Sequence, residues 1–271
     1  MQPATREVQG VSRLTALLSS HSEKRKKSLG LFLTAGYPRA DSTPGLVRSL
    51  EQAGADFIEI GMPFSDPLAD GPVIQESPAA ALRNGVTIPQ IFEGVRKIRA
   101  GSAVPLVLMG YVNPILAYGA GRFFSDAADA GVDGVILPEL PLEESARFRA
   151  DIGGLGLDQI LLVAPTTPDD RLAAIDAASR GFLYCVSTTG VTGSAGKGTP
   201  DAFLARVRKH ARRNPLLVGF GISDPDGARR AAGMSDGVII GSALIRRIAQ
   251  GDNALSLSTW VRSIRDALDA M

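Results

Sequence analysis

Short apolar, β-rich runs alternate with amphipathic stretches along nearly the whole chain. The runs predict strands at Leu29–Thr34, Phe57–Met62, Pro105–Val112, Gly134–Leu140, Gln159–Ala164, Phe182–Ser187, Leu216–Gly221 and Gly237–Ile240. Between them, apolar residues recur at helical spacing over Thr43–Ala53, Ile88–Arg99, Gly121–Ala130, Leu142–Asp151, Asp169–Ser179, Asp201–Arg213, Pro225–Ala232 and Ala254–Ala270. Asp224-Pro225 and Thr167-Pro168 set a capping side chain ahead of a first-turn proline. Gly54 and Gly131 follow Ala53 and Ala130 at helix ends, where glycine permits a left-handed turn into the next strand.

Strands that alternate with helices imply a parallel sheet, and strands apolar on both faces imply cover on both sides. About eight such units in a chain of this length fit a closed (β/α)8 TIM barrel better than an open doubly wound sheet. The dinucleotide fingerprint of the open fold is absent after the first strand, where Leu33-Thr34-Ala35-Gly36-Tyr37-Pro38 stands instead. A further helical stretch, Val11–Ser20, precedes the first strand and is expected to plug the bottom of the barrel. No linker or composition shift divides the chain, so residues 1–271 read as a single barrel domain.

Composition narrows the class. The chain has 271 residues, a net charge of +1 and 45% hydrophobic residues, which excludes the strongly basic bias of a non-specific nucleic-acid binder. One cysteine, Cys185, cannot form an internal disulfide and is expected in the core. No apolar run approaches the roughly 20 residues that span a bilayer, and charges interrupt the N-terminal segment where a signal peptide would lie. A cytoplasmic protein that binds neither membrane nor nucleic acid is expected.

In such a barrel, chemistry gathers where strands end and the following loops begin. In the second strand, Ile58, Ile60 and Met62 share one face and Phe57, Glu59 and Gly61 the other. The aliphatic face suits packing against helices, so Glu59 points into the barrel. Burial there would raise its pKa towards values useful for proton transfer near neutrality. The bland alternative is a structural glutamate hydrogen-bonded to neighbouring strands; perturbed carboxylates, however, collect at functional sites. The next loop, Pro63-Phe64-Ser65-Asp66-Pro67-Leu68-Ala69-Asp70-Gly71-Pro72, offers Asp66 or Asp70 as a second carboxylate.

Neither histidine, His21 or His210, falls at a strand end, and no lysine lies in a predicted strand to form a Schiff base. No cluster has metal-ligand spacing, so no metal site is expected. Carboxylates are left to move protons, with the substrate as its own electron sink. Glycine-containing turns follow the last three strands: Gly190-Val191-Thr192-Gly193, Gly219-Phe220-Gly221-Ile222-Ser223 and Gly241-Ser242-Ala243. The last opens a short predicted helix, Ala243–Ile248, whose free amides would face an anion. Phe32, Tyr111, Tyr184 and Phe220 fall near strand ends and together would line a flat apolar slot. The predicted substrate is therefore a phosphate ester with a planar apolar group.

These motifs carry a resemblance. Phe57-Ile58-Glu59-Ile60-Gly61 running into Pro63–Pro72, with the three glycine turns in order, resembles the signature of tryptophan synthase alpha subunits from about Leu31 to Ile248. The resemblance implies retro-aldol cleavage of indole-3-glycerol phosphate to indole and glyceraldehyde 3-phosphate, a carbon–carbon lyase step in tryptophan biosynthesis. It implies Glu59 as the main acid/base and Asp70 as the second catalytic carboxylate, holding the indole N–H. Tyr184 would stand near the side-chain hydroxyl. Phe32, Tyr111 and Phe220 would form the ring pocket, and Thr192, Gly193, Gly221, Gly241 and Ser242 would complete the substrate site.

The implied partner is a beta subunit in an alpha2beta2 tetramer. Pyridoxal phosphate belongs to that partner, with no cofactor in this chain. Asp66 and Pro67 match the segment that docks on beta, and Thr188–Lys197 matches the lid over substrate. Ligand here would then act allosterically on the partner. Two positions depart from the pattern: Glu139 stands where aspartate is expected, and Thr188 where some relatives carry arginine. The first is expected to shift a hydrogen bond to the partner or the pocket; the second removes a lid contact.

Overall fold

The structure, a computed structural model, describes residues 10–67, 72–186, 200–219 and 221–271. Eight parallel strands close in chain order into a barrel, with β1 beside both β2 and β8. They are β1 (Ser28–Thr34), β2 (Phe57–Gly61), β3 (Leu106–Met109), β4 (Gly134–Ile136), β5 (Asp158–Val163), β6 (Leu183–Val186), β7 (Leu216–Gly219) and β8 (Gly237–Ile240). The helices that matter below are α1 (Arg13–Lys24), α2 (Ser42–Gln52), α3 (Pro72–Arg83), α4 (Ile88–Arg99) and α5 (Val112–Tyr118). They are followed by α6 (Ala120–Ala130), α7 (Leu142–Gly154), α8 (Asp169–Ala178), α9 (Pro200–His210), α10 (Pro225–Gly233) and α11 (Ser242–Ala249).

Alternation along the strands sorts the core into two parts. Ile58, Ile60 and Met62 face outward into the large cluster between sheet and helices. Phe57, Val107, Ile136, Ile160, Phe182 and Leu217 face inward and fill the lower barrel. Leu14 and Leu18 of α1 join that inner cluster from below, so the N-terminal helix does plug the barrel. Asp158, at the start of β5, anchors the plug by accepting from the Ser12 hydroxyl and, at 2.7 Å, from Thr15 Oγ1.

Several boundaries differ from the sequence expectation. The fourth strand stops at Ile136, because Pro138 and Pro141 cannot donate to a ladder. The third stops at Met109, and Val112 begins α5, an element the periodicity does not predict. The seventh ends at Gly219. The helix expected to reach Arg213 ends at His210, because the Asp176 carboxylate accepts from the backbone N–H groups of Arg212, Arg213 and Asn214 at 2.7–3.1 Å. Thr167 does not cap α8: Pro168 holds the N-cap position, and Thr167 Oγ1 accepts from Ala164 N at 2.9 Å. Asp224 does cap α10, accepting from Gly227 N at 2.8 Å.

Candidate active site

The register of β2 decides what surrounds Glu59. Its strand partners are Phe32 on β1 and Val107 on β3, neither of which offers a side-chain donor. Glu59 is 0% exposed, and both carboxyl oxygens lack a hydrogen-bond partner among the described residues. The bland reading of a glutamate bonded to adjacent strands therefore does not hold. With desolvation acting unopposed, its pKa is pushed up to about 8. At neutral pH the group is a protonated acid facing a cavity.

That cavity has about 490 Å³ of empty space and is walled by Phe32, Glu59, Ile74, Met109, Tyr184 and Ile239. Gly219, Gly221, Ile222, Gly241 and Ser242 complete it on the side of the last two strands. Gly241 is the N-cap of α11 and, among the described residues, no side-chain cap is seen on that helix, which leaves its first-turn amides for an anion. Gly221 has φ +55°, and a Cβ built there would meet open space. A weak acid at one end and uncharged amide donors at the other fit a phosphate ester bearing an apolar group.

Two glycines make room for the rings. A Cβ on Gly61 would lie 2.5 Å from Phe32 Cζ, and one on Gly219 would lie 2.8 Å from the Tyr184 hydroxyl. Neither contact is visible in sequence, because each joins residues on different strands.

Tyr111 belongs to a second, adjoining chamber. It is the N-cap residue of α5 rather than a strand residue, and it lines a space of about 320 Å³ with Gly61, Met62, Thr34, Pro78 and Pro138. Phe32, Ile74 and Met109 border both chambers. Phe64, from the loop after β2, stacks on Tyr111 with ring centroids 5.2 Å apart. Glu139 makes an internal bond beside this chamber: its Oε1 accepts from Val112 N at 2.5 Å and so caps α5. Ile74, Met109 and Ile239 are site residues that sequence reasoning missed; inward alternation in β3 and β8 was the available signal for the last two.

Asp66 is exposed beside Ser65, and Pro67 is half-buried, outside both chambers. Asp70, Thr192, Gly193, Phe220 and the Thr188–Lys197 segment lie outside the described residues. Cys185 is buried and its thiol is pushed up to about 12, as a core residue should be. Among the described residues, no group of three His, Cys, Asp or Glu side chains is placed to hold a metal ion. A larger groove of about 770 Å³ between α2 and α4 has Asp41, Glu93 and Lys97 as its charged lining residues, and all three are solvent-exposed. Size alone does not locate the chemistry.

Fold and site together define a class: a (β/α)8 barrel with a buried inward acid and a glycine-lined helix start beside its last strands. Comparison with known proteins supplies the particular family. The model of the family described as "Tryptophan synthase alpha chain" matches residues 18–265. The tryptophan synthase alpha chain of Geobacter sulfurreducens is 43% identical over 263 residues, covering 95% of this chain and 99% of that one. That of Citrifermentans bemidjiense is 48% identical over 238 residues, covering 87% and 89%. The crystal structure of tryptophan synthase subunit alpha from Legionella pneumophila superposes with a TM-score of 0.90 at 35% identity, covering 97% of this chain and 100% of that one.

The chain belongs to the tryptophan synthase alpha chain family. It is a lyase of tryptophan biosynthesis that cleaves indole-3-glycerol phosphate. Pyridoxal phosphate belongs to the beta subunit, with which the family's alpha chains form an alpha2beta2 complex.

Proposed function

We propose that Glu59 is the acid/base of this cleavage. Its carboxylic acid gives a proton to indole C3, which turns the ring into an iminium able to accept electrons. The resulting carboxylate takes the proton of the side-chain hydroxyl as the C–C bond breaks. The bonding pair returns to the ring, indole and glyceraldehyde 3-phosphate separate, and Glu59 ends protonated as it began. A single group serves both steps because a pKa near 8 makes either transfer accessible near neutrality.

Around it, Phe32 and Tyr184 hold the ring and side chain, with Tyr111 and Phe220 completing the apolar pocket. Gly221, Gly241 and Ser242, with Thr192 and Gly193, hold the remainder of the substrate, including its phosphate. Asp70 accepts the indole N–H and stabilises the positive charge that develops on the ring. Asp66 and Pro67 dock on the beta subunit, Thr188–Lys197 closes over substrate, and indole passes to the partner. The chain acts as one barrel domain in the cytoplasm.

The observation that carries this reading is the pair of Glu59 oxygens facing the cavity with no partner among the described residues. Glu59→Gln keeps shape and volume and removes the titratable proton. Indole release from indole-3-glycerol phosphate is expected to fall by at least about 100-fold, the scale of general acid–base catalysis. Near-normal turnover by a folded Glu59→Gln protein would remove Glu59 from the mechanism.

A further inference from the structure

Pro78 lies inside α3. It has no N–H to give the carbonyl of Ile74 four residues back, and proline rings crowd that carbonyl. Ser77 compensates: its hydroxyl donates to Ile74 O at 3.0 Å. A serine hydroxyl has one hydrogen and two lone pairs. With that hydrogen on Ile74, the 2.6 Å contact between Thr34 Oγ1 and Ser77 Oγ runs from threonine to serine. Both residues are buried, Thr34 to 1% exposure and Ser77 to 0%.

The direction links two walls of the site. Thr34 follows Phe32 on β1 and pairs with Gly61 of β2. Ile74, in the first turn of α3, borders both chambers and shares the larger one with Glu59. We propose that Thr34 and Ser77 form a positioning relay that seats the first turn of α3 over the Glu59 cavity and keeps water off the acid. The relay rests on the reading of Glu59 as acid/base and adds to it the residues that set its surroundings. Neither hydroxyl touches substrate in this role.

The test is steady-state cleavage of indole-3-glycerol phosphate by the full chain across pH, with circular dichroism to verify folding. Ser77→Ala is expected to lower kcat about 10- to 100-fold, the cost of a misplacement near 1 Å, with KM changed less than about twofold. Water reaching Glu59 would lower its pKa, so the alkaline limb of kcat/KM moves to lower pH. Ser77→Thr keeps the hydroxyl and is expected to retain both kcat and the limb. Adding Pro78→Ala to Ser77→Ala gives Ile74 a backbone donor again and is expected to recover part of kcat.

An unchanged kcat and limb in Ser77→Ala would overturn the relay. So would a loss that neither Ser77→Thr nor Pro78→Ala relieves. If Ser77→Ala does not fold, Thr34→Val removes the other hydroxyl and must reproduce the kcat loss and limb shift. Glu59→Gln measured in parallel separates the two ideas. An active Glu59→Gln sinks the acid/base reading; an inactive one beside an indifferent Ser77→Ala sinks only the relay.

Discussion

At the scale of single residues, the site is shaped as much by absent side chains as by present ones. Gly61 pairs with Thr34, and its missing Cβ leaves the space that the Phe32 ring occupies. A methyl group 2.5 Å from Phe32 Cζ forces the ring to move, because the contact lies far inside van der Waals distance. Gly61→Ala is therefore expected to fold with unchanged secondary structure yet lose about 10- to 100-fold in kcat/KM, since small displacements of positioning groups carry costs of that size. Affinity for an indole-propanol phosphate mimic should weaken with it. Gly94 on α4 supplies the control, because a Cβ there meets nothing within 4 Å. Gly94→Ala should leave kinetics alone and gain about 0.5–1 kcal/mol from helix preference. Equal kinetic behaviour of the two variants would show that the Gly61 gap does not position the ring.

At the scale of elements, legibility followed how local each cause is. Glu59 could be placed inside the barrel because strand alternation is fixed by the backbone and its aliphatic neighbours declared the outer face. The helices α3 and α5 are not legible: Pro78 lies inside the first, where the Ser77 hydroxyl donates to Ile74 in place of the missing N–H, and the second has only seven residues, its first N–H accepted by Glu139 from beyond β4. Tyr111 reads as a strand residue because the apolar run continues through Val112, although it is the N-cap of α5. Asp70 was marked only by its motif, since an aspartate in a loop is by itself an ordinary turn-former.

The lower rim shows the same non-local character in charged form. Asp133 precedes β4 and is 3% exposed as a side chain. It meets Arg99 of α4 at 2.7 Å and Arg13 of α1 at 2.9 Å, and accepts from Leu106 N at 2.8 Å. Burial raises the Asp133 pKa and lowers that of Arg99 to about 10, each against its charged form, so desolvation exceeds the attraction between them. Such a pair contributes little over an apolar substitute, but halving it strands a charge. Asp133→Asn should destabilise the chain by about 3–5 kcal/mol in urea unfolding. Because the rim is at the end of the barrel away from Glu59, kcat of the folded protein should stay within about twofold. A matching collapse of kcat would mean that the two ends are coupled.

At the scale of the whole molecule, the barrel keeps a stability cost at its centre for the sake of a protonated acid. An isolated glutamate ionises near 4.5, and burial moves Glu59 to about 8. Below pH 4.5 the group is protonated in folded and unfolded chains alike, and its contribution to stability is fully present. Between those values the unfolded chain ionises while the folded one holds its proton. The folded state then binds more protons, and stability falls as pH rises. Above about 8 both are ionised and the penalty is constant. Other groups titrate as well: burial raises Asp133 and Asp158 and lowers His21. Comparing the parent with Glu59→Gln at each pH cancels those terms, provided they do not contact the substituted residue. The variant is expected to match the parent near pH 4.5 and to become progressively more stable up to pH 8. The advantage should then level off on the order of a few kcal/mol, while indole release is lost. Urea midpoints of both proteins, taken in steps from pH 5 to 9, measure the difference directly. Parallel curves across that range would mean that Glu59 ionises at an ordinary carboxylate pKa in the folded chain, and the protonated acid at neutral pH on which the proposed cleavage mechanism depends would be gone.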